Sequence, residues 1–451
     1  MKFKIALIVI AILAAVVAAW FLAPDANGLS VEKLEHVVKY VSPEGYHVTG
    51  KVHELQTTDK GQRVALLPKQ FETGEFTRKP VFARQEGYIG PDSCKECHAD
   101  YYNGFVQTAH YRTSALASES SILGSFKPGE NLMETRQPGF RYELSEEEDT
   151  FYQTLLVDEN GKTYQHKAPF HIVTGSGNIG QTYLYWEDDF LFQLPVSWFS
   201  KGGWVNSPGY PDGLANFARP IKDSCLACHA TMVDFAEKRI NLFDKSKMIL
   251  GVTCERCHGP AEEHVNYHRA NPEAEAAKFI LHPNDLPRER MNDICGQCHA
   301  GGDSVNLKPP FAFRPGDKVS DYKKFLKVPS DGGSVHTANQ HPRLIKSKCY
   351  TESDTMNCAS CHNPHQDEHG KMELFSQRCM KCHQPKDCGQ FPTSGDKIVS
   401  NCVDCHMPKR NDEQTRIETN EQDFFPQIRD HFIRVDKASA EEVLKSWASD
   451  K

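Results

Sequence analysis

The sequence predicts a mainly α-helical fold with extensive loops wrapped around stacked planar groups, and a small antiparallel β insertion ahead of residue 225. Three observations predict it. Only 39% of the 451 residues are hydrophobic and the mean hydropathy is -0.56, so a body of this size needs apolar material beyond its own side chains. A five-residue phrase, Cys-x-x-Cys-His, occurs seven times, and from the second copy onward the first cysteines follow one another at 29, 41, 63, 21 and 23 residues, too close for separate cores of ordinary size. Between His98 and Cys225, 127 positions on, the pattern changes to alternating and aromatic-rich runs, which read as strands.

The repeated phrase stands at Cys94/Cys97/His98, Cys225/Cys228/His229, Cys254/Cys257/His258, Cys295/Cys298/His299, Cys358/Cys361/His362, Cys379/Cys382/His383 and Cys402/Cys405/His406. Its spacing is that of c-type haem attachment. Two thiols add to the two vinyl groups of one porphyrin, and the next imidazole ligates the iron. Zinc sites also use paired cysteines, but no zinc site requires His after every second Cys. The reading is therefore seven covalent haem c groups, and the stacked planar groups of the fold are stacked haems. Fourteen of the 16 cysteines are consumed. The remaining two, Cys349 and Cys388, are expected to form a disulfide, since an even remainder in an exported chain is usually paired.

Taken in order, Lys2 and Lys4 precede an uninterrupted apolar run, Ile5 to Ala23, which as a helix is about 28 Å long and spans a bilayer core. Residues 1–24 are expected to be a membrane anchor or a signal peptide, with the rest exported to the periplasmic side. Residues 25–87 form an exported segment without a haem motif, with a short helix at Val31 to Val41 and strands flanking the turn Asp59-Lys60-Gly61; His36, His47 and His53 lie here. Residues 88–435 form the heptahaem region, with the β insertion at about 140–215. Tyr101 to Leu116 reads as a helix bearing His110, a candidate ligand to a neighbouring haem. Gly175-Ser-Gly177-Asn-Ile-Gly180 matches a dinucleotide fingerprint, but strand-like neighbours and the lack of a following helical pattern make it a glycine-rich turn. His171 before it is a further candidate ligand, and His166 a weaker one.

Further on, Pro260 to His268 reads as a short helix carrying His264, a candidate distal ligand, with His268 one turn on as its competitor. One of His336 and His341 is expected to coordinate. His365, three residues past His362, is aimed by a turn at another haem, and His431 closes one more. His282 and His369 are weaker alternatives, and Met407 is too near His406 to reach the opposite face of the same iron. Residues 436–451 form a C-terminal helix, with Ser439 and Glu442 as a capping box.

These residues resemble the multihaem cytochromes of the cytochrome c-552/4 family, to which the tetrahaem electron acceptor of hydroxylamine oxidoreductase is related. The resemblance runs over about residues 88–435. It rests on Gly90-Pro-Asp-Ser-Cys-Lys-Glu-Cys-His98 with His110 downstream, Leu194-Pro-Val-Ser-Trp198 through Asn206-Ser-Pro-Gly-Tyr210, and Thr253-Cys-Glu-Arg-Cys-His-Gly-Pro260. Ser347-Lys-Cys349 ahead of Cys358-Ala-Ser-Cys-His-Asn-Pro-His365, and Val403-Asp-Cys-His-Met-Pro408, complete it. The resemblance implies electron transfer through closely packed haems, mostly with two His ligands. Seven motifs exceed the four of the tetrahaem members, so partners do not carry over.

Two functions follow as expectations. The first is an electron carrier between a redox protein donor and acceptor, with every iron held by two imidazoles. The second is a multihaem oxidoreductase acting on a small nitrogen or sulfur compound, which needs one open iron and proton donors beside it. No Cys-x-x-Cys-Lys variant occurs. The formal charge of -8 argues against nucleic acid and suits partners with basic docking patches.

Overall fold

The computed structural model describes residues 54–57, 63–66, 82–83, 86–159, 161–236, 240–302, 304–326 and 334–449. The apolar run Ile5 to Ala23, the helix expected at Val31 to Val41, and His36, His47 and His53 lie outside the described residues. Among the described residues no helix is long and apolar enough to cross a membrane.

Strands dominate the first half. β1 (Glu54–Thr57) and β2 (Arg63–Leu66) form the hairpin expected around residue 60. After β3 (Phe82–Ala83) and β4 (Ser114–Leu116) come β5 (Leu132–Glu134), β6 (Phe140–Glu147), β7 (Thr150–Glu159) and β8 (Lys162–Pro169), a four-stranded antiparallel meander. β9 (Ile172–Thr174), β10 (Gly180–Glu187), β11 (Phe190–Phe199), β12 (Gly203–Asn206), β13 (Leu214–Asn216) and β14 (Arg219–Pro220) follow. A second sheet has the order β12-β11-β10-β9-β4, with β14 on β11. β13 pairs with β2 in parallel. β15 (Ala230–Ala236) and β16 (Phe243–Leu250) pair with β3 in a third antiparallel sheet.

The expectation of a mainly α fold with a small β insertion is overturned: the described residues are 30% helical and 27% strand. Strand structure between the first and third motifs reaches from Ser114 to Leu250, well beyond 140–215. The helix expected from Tyr101 to Leu116 is in fact Ala99–Phe105, a turn, a short 3-10 segment at Tyr111–Thr113, and β4. There the Ala115 and Leu116 backbones pair with Val173 and Ile172 of β9, so a sheet edge overrides the local helical pattern. Helices shrink for a second reason. Cys-x-x-Cys-His puts its three reactive side chains at i, i+3 and i+4, one turn of helix on one face, and Asp223–His229, Cys254–His258 and Cys402–His406 are little more than that turn.

Phe140, Tyr142, Leu144, Tyr183, Phe192 and Phe217 are fully buried, and the principal side-chain clusters are built from the sheets. Phe170 stacks on Tyr183 with centroids 4.4 Å apart. Of the residues in the three clusters among the described residues, only Phe311, Ile417 and Phe424 lie beyond residue 250. The glycine-rich segment 175–180 is the tight connection between β9 and β10, as expected; Gly175 has φ +99° and a Cβ there would meet the Gly180 carbonyl at 2.4 Å. The C-terminal helix is Lys437–Ser449. Its start is held by Asp436, whose carboxylate accepts from the Ser439 backbone and hydroxyl, rather than by the expected box from Ser439.

Candidate haem-ligand framework

Four of the motifs place their histidines opposite histidines from elsewhere in the chain. His98 faces His264 with ring centroids 6.4 Å apart and planes at 17°. His258 faces His365 at 6.1 Å and 24°, and His362 faces His431 at 6.1 Å and 21°. His299 faces His110 at 6.3 Å and 68°. Each of these pairs joins a motif His to a non-motif His. Two imidazoles on opposite faces of one iron, each with a metal–nitrogen bond of about 2 Å, have centroids about 6.3 Å apart. The pairs therefore leave the space that an iron and its macrocycle need.

Nitrogen chemistry agrees. A ligating imidazole binds through a bare nitrogen while its other N–H donates to a carbonyl or carboxylate. His258 Nδ1 faces the Leu281 carbonyl at 2.9 Å, His299 Nδ1 that of Thr337 at 2.9 Å, and His406 Nδ1 that of Arg434 at 3.1 Å. His264 and His431 do the same with Lys278 at 2.7 Å and Arg429 at 3.2 Å. His229 Nδ1 lies 3.0 Å from the Thr113 hydroxyl and 3.3 Å from its carbonyl. In each case the proton sits on Nδ1 and Nε2 is free. Burial, then the charges of neighbouring histidines, pushes His110 down to about 4, and burial with the His362 charge leading the remaining causes pushes His431 down to about 4, which keeps both neutral as metal binding requires.

The same test separates the other histidines. His171 Nδ1 accepts the Trp186 backbone N–H at 3.0 Å, so its proton is on Nε2 and that nitrogen has no lone pair to give. His336 Nδ1 likewise accepts from Ala338 at 3.1 Å as the cap of a short helical turn. His166 is packed 4.5 Å from Phe217, and burial pushes it down to about 4. His341 differs: its Nε2 is buried without a partner among the described residues, and so is that of His268. Of His336 and His341, only His341 has an Nε2 that is buried without a partner among the described residues.

The motifs differ in how far their helical turn extends. In the first and sixth motifs the helix stops at Lys95 and at Cys379, so the second thiol falls in a turn and the imidazole just after it. Cys97 is exposed, and among the described residues no thiol contact joins it to another motif. His383 is exposed as well. Among the described residues no second imidazole faces His383 and no carbonyl meets its ring, although it lies within electrostatic reach of His406. The His98 and His383 backbones still donate to the carbonyls of Cys94 and Cys379 at 2.9 and 3.0 Å, so each phrase keeps its helical turn. Imidazole pairing supports the first site through His98 and does not reach the sixth.

Motifs also touch one another. Thiol contacts join Cys94 to Cys254, Cys228 to Cys298, Cys295 to Cys358 and Cys379 to Cys402. Hydrogen bonds follow the same lines. The Glu255 carboxylate, inside the third motif, accepts from the Ile89 and Gly90 backbones at 3.0 and 2.8 Å beside the first motif. Gln297 of the fourth motif reaches the Arg256 carbonyl of the third at 3.3 Å, and Arg256 reaches Ala227 of the second at 2.8 Å. Asn292 accepts from the Cys358 backbone at 3.1 Å. Arg378 donates to the Cys361 carbonyl at 2.6 Å, and the Cys402 backbone donates to Ser376 at 2.9 Å.

The expected disulfide is absent: Cys349 and Cys388 are both free thiols. Cys349 lies within electrostatic reach of Cys382 and Cys361, whereas Cys388 lies near Cys405. The fold sends each leftover cysteine to a different motif. Residue counting could not see this, because it knows parity and not position.

The attachment phrase, the imidazole pairs and the likeness to known proteins together define the class: the chain is a multihaem c-type cytochrome. Within that class, residues 215–259 match the family described as cytochrome c554 and c-prime. The chain is 28% identical over 211 residues to the multiheme cytochrome MtrA of Shewanella baltica, covering 43% of this chain and 55% of that protein. It is 22% identical over 442 residues to the dissimilatory sulfite reductase MccA of Wolinella succinogenes, covering 81% of this chain and 57% of that protein. The chain thus spans little more than half the length of these curated relatives. The outer cell wall cytochrome OcwA, a solved structure, aligns with a TM-score of 0.48 and 18% identity over 79% of this chain and 81% of that one.

Proposed function

We propose that the protein is an exported heptahaem electron carrier whose seven Cys-x-x-Cys-His phrases each hold one haem c covalently through the named cysteines, with the motif histidine as proximal ligand. The haems, when bound, supply one-electron redox centres. The observation that carries the reading is the set of four imidazole pairs at 6.1 to 6.4 Å. In it His264 completes the first site, His365 the third, His110 the fourth and His431 the fifth. Cys97 and His383 keep their places in the first and sixth sites on the strength of the motif. His341 remains the candidate for one of the other three sites, and His171 is set aside because its Nε2 carries the proton.

Pairing by two imidazoles suits a carrier, since an iron held on both faces changes oxidation state without exchanging ligands. The contacts between motifs order the sites 1-3-4-5-6-7, with the second set beside the third and fourth. This order differs from that of the sequence and makes one connected series. Residues 88–435 form the haem region and 436–451 its terminal helix. The run Ile5 to Ala23 either anchors the protein on the periplasmic side of the cytoplasmic membrane or is removed on export to the periplasm. The partners are a donor and an acceptor redox protein.

A second reading has one specific observation behind it, the similarity over 81% of the chain to a protein named a sulfite reductase. In that reading one iron is left open to a small nitrogen or sulfur compound. Carbon monoxide titration of the reduced protein, with low-temperature electron paramagnetic resonance of the oxidised form, decides between them. The carrier predicts low-spin signals and no uptake, and one carbon monoxide per chain favours the enzyme. Replacing His365 by Ala should create one high-spin iron, and an unchanged spectrum would remove His365 from the ligand set.

A further inference from the structure

The segment from Gln427 to Asp436 is a strap across two motifs. It carries His431 to its place 6.1 Å from His362 of the fifth motif. Three residues on, it binds the seventh motif in both directions, since the Arg434 backbone N–H donates to the His406 carbonyl at 3.1 Å and the Arg434 carbonyl accepts from His406 Nδ1 at 3.1 Å. The Asp436 backbone adds a bond to the Cys405 carbonyl at 3.3 Å.

At the centre of the strap is Asp430, whose side chain is 0% exposed. Arg343 grips it with both arms of its guanidinium, through Nε to Oδ1 and through a second nitrogen to Oδ2 at 2.7 Å. Arg434 reaches Oδ2 at 2.9 Å and Arg410 lies 3.5 Å from it. The Phe432 backbone donates to Oδ1 at 2.9 Å, while the Asp430 backbone donates to Pro408. Ser347, buried near Arg343, accepts from the Ile433 backbone at 2.8 Å and donates to the His431 carbonyl. A carboxylate so enclosed is held in one orientation, because each oxygen has its own charged or backbone donor.

We propose that Asp430 is a positioning residue for two iron sites at once: through the strap it fixes His431 opposite His362 and holds the Arg434 carbonyl against the Nδ1–H of His406. This rests on the ligand reading above. Asp430 touches neither iron. Its loss lets His431 drift from the fifth site and loosens the acceptor that makes His406 a stronger donor at the seventh.

The test uses the full-length, haem-loaded protein in three variants. Asp430→Asn keeps shape but removes charge, Arg343→Lys keeps charge but removes the fork, and His431→Ala removes the ligand itself. Electron paramagnetic resonance and redox titration should show two altered centres in Asp430→Asn: high-spin signal rising from none toward one iron per chain, and a second, still low-spin centre with a shifted potential. His431→Ala should alter the first strongly and leave the second. If Asp430→Asn does not fold, Arg343→Lys is read by the same criteria, weaker in degree. Fully loaded Asp430→Asn, or Arg343→Lys in its place, with every centre unchanged would overturn the proposal. Should His431→Ala itself stay entirely low-spin, the ligand reading fails instead, and the two failures are told apart.

Discussion

The region from Ser114 to Leu250 and the region from Cys254 to Asp436 are held together by different means. The first has the aromatic and aliphatic interior of an ordinary β protein, with Phe140, Tyr183 and Phe192 sealed between sheets. The second contributes Phe311, Ile417 and Phe424 to the clusters and little else, yet carries five of the seven motifs and at least one member of each of the four imidazole pairs. Hydrophobic burial of side chains accounts for the first. In the second, short helices and buried ion pairs such as Arg343–Asp430 take the place of a large side-chain cluster, and the expectation is that cofactor binding and folding are coupled there.

The largest test of this contrast is production in a host without haem attachment. Limited proteolysis should then degrade residues beyond about 254 while fragments spanning 114–250 persist; uniform digestion of both would break the comparison. Next, Phe140→Ala in β6 should cost about 3 to 5 kcal/mol in denaturant unfolding while the low-spin spectrum stays intact, since its neighbours are strands. A spectrum that changes with it would mean that the two regions share one core.

A smaller effect is expected at Gly104, in the helix Ala99–Phe105. A Cβ there would meet the His365 carbonyl at 2.7 Å, and backbone cannot give way as a flexible side chain does. Gly104→Ala should cost about 1 to 3 kcal/mol and bring partial high-spin character at the third site, read by resonance Raman. The smallest concerns Asp423, which links the regions through Arg136 and Arg416. Burial pushes its carboxyl up, but hydrogen bonds from Arg416 and Arg136 outweigh that and hold it below the usual carboxylate value. The unfolded chain therefore binds more protons in this range. The contribution is present above the unfolded value of about 3.9 and is lost as pH falls below it. Urea midpoints of the parent should decline through that window more steeply than those of Asp423→Asn.

Much of the candidate site was legible because its chemistry is local. Attachment needs two thiols and an imidazole within one helical turn, and five consecutive residues show that. His264, His365, His110 and His431 could be nominated as second ligands from their placement near motifs or as a lone late His. His171 was nominated as well, yet its Nδ1 accepts the backbone N–H of Trp186, a bond between residues 15 apart that no composition reveals. The exposure of Cys97 and His383 was equally hidden, because it depends on where a short helix stops and what packs beside the turn. Likewise the carbonyls that orient these imidazoles belong to Leu281, Thr337, Lys278 and Arg434, and a backbone carbonyl leaves no signature in the residue type. The β content was underestimated because helical patterns such as Tyr101 to Leu116 yield to sheet edges brought from Ile172–Thr174.

The sequence by itself determined the kind of protein this is, since covalent haem attachment is written in contiguous residues and needs no folding to be read. Tertiary structure alone decided which imidazole faces which, that Cys349 and Cys388 are not bridged, and which motifs touch one another. The reason is physical. Imidazole pairing joins residues up to 189 positions apart, as in His299 and His110, and a chain folded back through sheets and straps sets such distances by packing, which residue spacing does not encode.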